Sequence, residues 1–276
     1  YPGLSCTKKQ YAVNPGSKPQ GEANALCIAN DSTWLILDKI FTQVAGLFPG
    51  AFIHTGGDEA NKKFWMADPK DLALMKQEGL NTPEQLQGYF EKRISKLILS
   101  KGKKMSGWDE IMEGGLAPGT TGMCWRGMNN GFQAARMGHQ VIMTPIWNTY
   151  LSRRQGSPFV EPIAPGNLRL RTCYEFEPVP DSVTSENIIG GQGCLWTEFV
   201  SNGRHAEYMT WPRALALAEV LWSPKTKRNW PDFTRRVEWQ FKYLDAAQVK
   251  YASGIYDPII DMVRDRDDSL KVTLEA

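Results

Sequence analysis

Two glycines followed at once by two carboxylic acids, Gly56-Gly57-Asp58-Glu59, form the segment of this chain best suited to moving a proton. Glycine permits a tight turn and lets backbone approach a ligand closely. Side chains alternate along an extended segment, so adjacent Asp58 and Glu59 are expected to point in different directions. That is a poor geometry for a double-displacement glycosidase, whose two carboxyls face each other across about 5–5.5 Å. It suits a division of labour, in which one acid donates the proton and the other holds a group beside it. Neighbouring carboxylates also raise one pKa of the pair, which keeps an acid protonated near neutrality. A helix-capping Asp with Glu in the first turn is the purely structural alternative. His54, just before the pair, reads as a donor that steadies the carboxylates. With 3 histidines, at 54, 139 and 205, and no His-x-x-x-His or cysteine cluster, the sequence predicts neither a metal centre nor a cofactor.

Indoles are the second constellation. Trp108, Trp125 and Trp196 each close a separate short β-prone run, and the chain has 10 tryptophans. If those runs are strands of one sheet, the three rings meet at one rim and offer flat apolar walls to a sugar face or a methyl group. Each could instead cap the core, which is the common fate of a single tryptophan. Glu198 lies two residues past Trp196, on the same side of an extended segment, and could reach the same ligand. Asp109 and Glu110 after Trp108 read more simply as the opening of a loop or helix.

The elements that must position these groups alternate. Helical spacing follows Asp31 through Leu47, with Asp31 as the expected cap, and covers 83–99 behind Thr82 and Pro83. Further helices are expected at 130–138 and, as one long element, at 205–221. Short strands are expected at 51–54, 103–107, 121–124, 141–144 and 188–195. Strand–helix alternation argues a parallel sheet. Five successive strand ends carry Asp58-Glu59, Trp108-Asp109-Glu110, Trp125-Arg126, the 147–150 segment and Trp196-Glu198. An open sheet uses one switch point, whereas a (β/α)8 TIM barrel delivers side chains from many strands to one mouth. The reading is therefore an α/β barrel of which the C-terminal five strands are visible. Residues 1–257 are assigned to it, and 258–276 to a barrel exit or the start of a C-terminal module.

Composition narrows the partners. Lys plus Arg number 32 against 30 for Asp plus Glu, so nothing electrostatic points to nucleic acid or an anionic membrane. No apolar run is long enough for a transmembrane segment. Five cysteines, at 6, 27, 124, 173 and 194, make no disulfide framework, although Cys6 and Cys27 flank a polar loop and could bridge.

Taken together, His54-Thr55-Gly56-Gly57-Asp58-Glu59 resembles the His-x-Gly-Gly-Asp-Glu signature of glycoside hydrolase family 20. Gly107-Trp108-Asp109-Glu110, Trp125-Arg126-Gly127, the run from Gly190 to Glu198 and the run from Pro212 to Glu219 agree with the same family, from Tyr1 to about Asp257. The version is most similar to enzymes of Bacteroidetes-type bacteria. The resemblance implies a retaining exo-β-N-acetylhexosaminidase acting on N-acetylhexosamine-terminated glycans by substrate assistance. It implies Glu59 as general acid/base and Asp58 as the group holding the substrate's 2-acetamido N–H. It implies Trp108, Trp125 and Trp196 as the box around the acetamido methyl and sugar ring, Tyr150 on the acetamido oxygen, and Glu198 on ring hydroxyls.

Two departures qualify the resemblance. The family arginine that grips the 3- and 4-hydroxyls would precede Tyr1. The natural protein is therefore expected to be longer, with the N-terminal half of the barrel required for activity and this segment alone inactive. The family acid two residues after the site tyrosine is here Ser152, followed by Arg153 and Arg154. That change reverses the local field near the sugar's C6 side and is expected to suit a 6-substituted, for example 6-O-sulfated, substrate; both arginines turned to solvent is the alternative. A non-catalytic N-acetylhexosamine-binding barrel is the rival function, and the family implies a periplasmic, surface-anchored or secreted location.

Overall fold

The computed structural model describes residues 1–9, 25–156, 161, 166–181, 183, 185–256, 259–264 and 269–275. The polar loop through 10–24, the charged run 265–268 and the 257–258 boundary expected between barrel and tail lie outside them.

Helix α1 (Asp31–Leu47) begins where the Asn30 side chain accepts the Ser32 amide, so Asn30 is the cap and Asp31 the first helical residue. The acid still lies at the positive end of the helix dipole. Strand β1 (Phe52–His54) follows, then α2 (Lys63–Ala67) and α3 (Pro69–Gln77), where Asp68 accepts the Lys70 and Asp71 amides. Helix α4 (Pro83–Ser100) starts as expected, with Thr82 accepting the Gln85 amide and Pro83 in the first turn. Strand β2 (Lys104–Trp108) runs into a 3-10 turn at Asp109–Met112. Strand β3 (Thr121–Cys124), α5 (Met128–Arg136), β4 (Val141–Met143), α6 (Ile146–Thr149), α7 (Leu170–Tyr174) and β5 (Ile188–Gly191) complete the alternation.

The expected long helix at 205–221 is two helices, α8 (Gly203–Thr210) and α9 (Arg213–Trp222). Pro212 stands at the break, where its missing amide hydrogen and its ring forbid a continuous helix. The strand expected to reach residue 195 stops at Gly191, although Tyr150 and Cys194 still form an isolated parallel bridge beyond it. Helix α10 (Trp230–Ala246) is capped by Asn229, and β6 (Ile259–Arg264) pairs antiparallel with β7 (Leu270–Glu275).

The sheet order is β1-β2-β3-β4-β5, every strand beside its successor. Strands β1 and β2 pair in parallel with His54 opposite Ser106, and β2 and β3 with Trp108 opposite Met123. A parallel neighbour requires a crossover: α2, α3 and α4 supply it between β1 and β2, and the 3-10 turn with the loop to residue 120 between β2 and β3.

The chain divides into two compact units, residues 1–142 with 181–189, and 143–180 with 190–276. In the first, Ile28, Trp34, Ile53, Leu86, Ile94, Ile98, Met105 and Ile111 form the core between β1, β2, α1 and α4. The apolar spacing of α1 is wider than its buried stripe, because Leu35, Ile40 and Leu47 are exposed. In the second, Tyr174 stacks on Phe233 with centroids 4.4 Å apart, and Leu217, Val220 and Val237 are buried.

Candidate functional site

In the first unit the chemistry begins where β1 ends. Gly56 and Gly57 adopt φ of +76° and +93°, and Glu59 a φ of +50°. The backbone is thus left-handed at these three residues and departs from the extended segment expected for the two acids, while the turn that the glycines permit is present and leads into Asp58 and Glu59. Glu59 is a non-glycine residue in a disfavoured region, which neighbouring structure must hold. The residues leading into it are anchored by three hydrogen bonds: the Thr55 amide donates to Ser106 O at 2.9 Å, the Trp108 amide to Gly56 O at 2.8 Å, and Gln87 Nε2 to Gly57 O at 2.7 Å. Asp58 is half-buried and Glu59 exposed.

His54 accepts the Gly56 amide on Nδ1 at 3.1 Å and packs edge-on against Trp108, centroids 4.9 Å apart. It therefore steadies the backbone of the turn and one indole. Burial lowers its pKa, while the nearby Asp58 charge raises it.

The 3-10 turn after β2 braces the next indole. Glu110 accepts Trp125 Nε1 at 2.9 Å. Buried Asp109 accepts Arg126 Nε at 3.2 Å and Asn130 Nδ2 at 2.7 Å, and Arg126 also reaches Glu113 at 2.5 Å. Burial pushes the Glu110 carboxyl up, against the pull of Trp125 and Arg126. For Glu113 burial also acts upward, but the Arg126 and Lys62 contacts outweigh it and hold the carboxyl low. Asp109 and Glu110 do open a helical turn, as read, yet they also orient the Trp125-Arg126 pair. The sequence signal was opposite charge at two neighbouring strand ends.

The second unit carries Tyr150, Ser152, Arg153, Trp196 and Glu198. The Leu151 amide donates to Cys194 O at 2.7 Å and the Cys194 amide to Thr149 O at 2.9 Å. This ladder ties the tyrosine segment to the tryptophan segment, and the Tyr150 and Trp196 rings lie 6.4 Å apart. Tyr150 is buried, whereas Trp196 and Glu198 are exposed. Ser152 and Arg153 are buried, so Arg153 does not turn to solvent. Its guanidinium lies 4.2 Å from the Trp147 ring and donates to Asn167 O at 3.3 Å, and burial lowers its pKa. Arg154, less buried, donates to Asn167 Oδ1 at 3.2 Å.

Arg213 holds this loop from beneath. Fully buried at the start of α9, it donates to the carbonyls of Arg153, Leu168, Leu151 and Met209 at 2.5–3.0 Å. Burial pulls its pKa down to about 10. Sequence reading placed Arg213 in a motif without giving it this task.

Far along the first unit, Cys6 and Cys27 are free thiols that share Asp71. Their sulfurs lie 3.4 and 3.6 Å from its oxygens, and the Ala29 amide donates to it at 2.7 Å. The fold thus assembles a cluster the sequence spacing did not show, with ligand atoms all within 4.8 Å of one another. A metal would need thiolates. Without a metal, burial and then Asp71 push Cys27 up to about 11 and Cys6 higher still, which keeps both as thiols hydrogen-bonded to Asp71.

Asp58, Glu59, Trp108 and Trp125 thus stand at or just beyond the C-terminal ends of consecutive parallel strands of an α/β protein. The chain belongs to glycosyl hydrolase family 20, whose catalytic domain matches residues 1–225. It is 37% identical over 260 residues to a beta-hexosaminidase of Porphyromonas gingivalis, covering 91% of this chain and 33% of that one. It is 36% identical over 202 residues to a beta-hexosaminidase of Vibrio furnissii, covering 71% of this chain and 33% of that protein. Among solved structures, an exo beta-N-acetylglucosaminidase from Vibrio harveyi in complex with N-acetylglucosamine superposes with TM-score 0.78 at 30% identity, covering 87% of this chain and 38% of that one. A beta-N-acetylhexosaminidase from Bacteroides fragilis, at 24% identity and TM-score 0.79, shares the fold over 91% of this chain and 51% of its own. These neighbours are TIM barrels, and the parallel sheet with its helices is consistent with part of one. The chain spans about a third of the length of the curated relatives it matches first.

Proposed function

We propose that the protein carrying this chain is a retaining exo-β-N-acetylhexosaminidase that removes terminal GlcNAc or GalNAc through an oxazolinium intermediate. The observation that carries the reading is that Asp58 and Glu59 directly follow the left-handed Gly56-Gly57 pair at the end of β1, which is anchored on both β2 and α4. The acetamido oxygen of the substrate attacks C1 as Glu59 protonates the departing glycosidic oxygen. The C1–O bond breaks, the aglycone leaves with that proton, and Asp58 holds the acetamido N–H and stabilises the charge that develops there. Water then attacks C1 from the face the aglycone left, giving its proton to Glu59 and restoring the acetamido group, so the configuration is retained. Tyr150 donates to the acetamido oxygen, and Trp108, Trp125 and Trp196 confine the group. Confinement near attack geometry supplies the intramolecular rate advantage. Glu198 accepts hydrogen bonds from ring hydroxyls.

The relatives' names support N-acetylhexosamine-terminated glycans as substrates, and their length supports a requirement for further barrel wall. A periplasmic, surface-anchored or secreted location fits such a substrate. None of the helices among the described residues is long and apolar enough to cross a membrane.

Glu59→Gln tests the assignment. On an aryl N-acetyl-β-D-glucosaminide with a poor leaving group, kcat/KM of the full-length protein should fall by about 10²–10⁴-fold. A dinitrophenyl leaving group, which departs without protonation, should lose much less in the first step. A variant within tenfold of wild type on the poor leaving group would remove Glu59 from the acid role.

A further inference from the structure

Glu91 is an acid with no place in this chemistry, yet it sits directly behind the turn that carries it. It lies on α4 with 4% of its surface exposed. A Cβ on Gly57 would stand 3.2 Å from Glu91 Oε1, so only glycine lets this carboxyl approach the turn so closely. Gln87, one helical turn earlier, donates to the Gly57 carbonyl at 2.7 Å and also hydrogen-bonds Glu91. Glu91 Oε2 is buried with no partner among the described residues. Buried polar atoms are seldom left so, and the buried face of α4 that carries Glu91 also carries Ile94 and Ile98, which belong to the apolar core.

We propose that Glu91 is a positioning residue for the Asp58–Glu59 turn, acting through Gln87 and the Gly57 carbonyl. The inference rests on the reading of Glu59 given above. As a neutral acid, Glu91 is a weak acceptor and leaves the Gln87 amide aligned on Gly57 O. As a carboxylate it draws the same amide group toward itself and sets a charge with an unpartnered oxygen beside the Gly57 carbonyl, so the turn loses support.

Burial pushes Glu91 up to about 7, with the Gln87 hydrogen bond pulling the other way. The charged groups on the elements packed against α4 are Asp58 in the turn, Lys104 on β2, Asp109 and Glu110 in the 3-10 turn, and Asp31, Asp38 and Lys39 on α1. None of them perturbs Glu91. Its folded pKa is raised above the ordinary value of 4.5, so the stability it contributes is full below that value and is lost as pH rises through about 7.

The experiment is kcat/KM for an aryl N-acetyl-β-D-glucosaminide, from about pH 5 to about pH 8.5, on full-length wild type, Glu91→Gln, Glu91→Leu and Glu59→Gln. Both Glu91 variants are neutral at every pH, and the leucine suits the apolar surroundings should the amide not be tolerated. The ratio of variant to wild type is expected near one at the acid end and at least threefold higher at the alkaline end. A ratio that is flat or falls, in a protein that Glu59→Gln inactivates, overturns the positioning role alone. Turnover retained in Glu59→Gln overturns the reading of the turn and this proposal with it.

Discussion

The carboxylate of Glu110 accepts the indole N–H of Trp125 at 2.9 Å, which couples the turn after β2 to the end of β3. A wall residue is useful only if its ring plane is held, and a charge-assisted hydrogen bond holds it more firmly than packing alone. Glu110→Leu leaves the indole to rotate, and kcat/KM for the N-acetyl substrate should fall about tenfold, or about 1.4 kcal/mol. Glu110→Gln keeps an acceptor and should recover most of the loss. Equal kinetics for wild type and Glu110→Leu would show that Trp125 needs no brace.

Gly57 should tolerate no side chain. Its φ is +93°, and a Cβ would lie 2.3 Å from Ile111 Cγ2. Gly57→Ala is expected to destabilise by about 2–4 kcal/mol, combining backbone strain with overpacking. At Gly56 the nearest atom to a Cβ is Asp58 Oδ1 at 3.5 Å, an ordinary contact, so Gly56→Ala should cost only the left-handed backbone term of about 1–2 kcal/mol. Urea midpoints of the two variants check the order, and the reverse order would mean the turn is held differently.

Much of this was legible in the residues themselves. Thr82 and Pro83 mark the start of α4, and each strand expected between 51 and 144 is found to within a residue. Local signals suffice there because caps and short apolar runs act within a few residues. The Ala- and Leu-rich periodicity around Pro212 hid a break that the proline itself announced. What sequence could not show were contacts between distant positions: Glu110 with Trp125, Gln87 with Gly57, and Cys6 with Asp71, 65 residues apart. The adjacent acids were found by type, but the left-handed turn that leads into them is anchored by bonds from β2 and α4, which spacing does not encode.

Ser152 stands where the family pattern has an acid, and the neighbouring Arg153 is buried against Trp147 and not dispersed in solvent. A site without a carboxylate at that position should accept a 6-O-sulfated N-acetyl-β-D-glucosaminide with kcat/KM within tenfold of the plain sugar. Ser152→Asp should lower the sulfated-to-plain ratio at least tenfold, about 1.4 kcal/mol of repulsion. An unchanged ratio would place residue 152 away from the C6 side.

The central claim is that the substrate's own acetamido group is the nucleophile. The most direct measurement compares kcat for an aryl N-acetyl-β-D-glucosaminide with kcat for its N-deacetylated counterpart on the full-length protein. Loss of an intramolecular nucleophile removes several kcal/mol of advantage, so the second substrate should turn over at least about 10³-fold more slowly. Comparable turnover of both would contradict substrate assistance and require an enzymic nucleophile in its place.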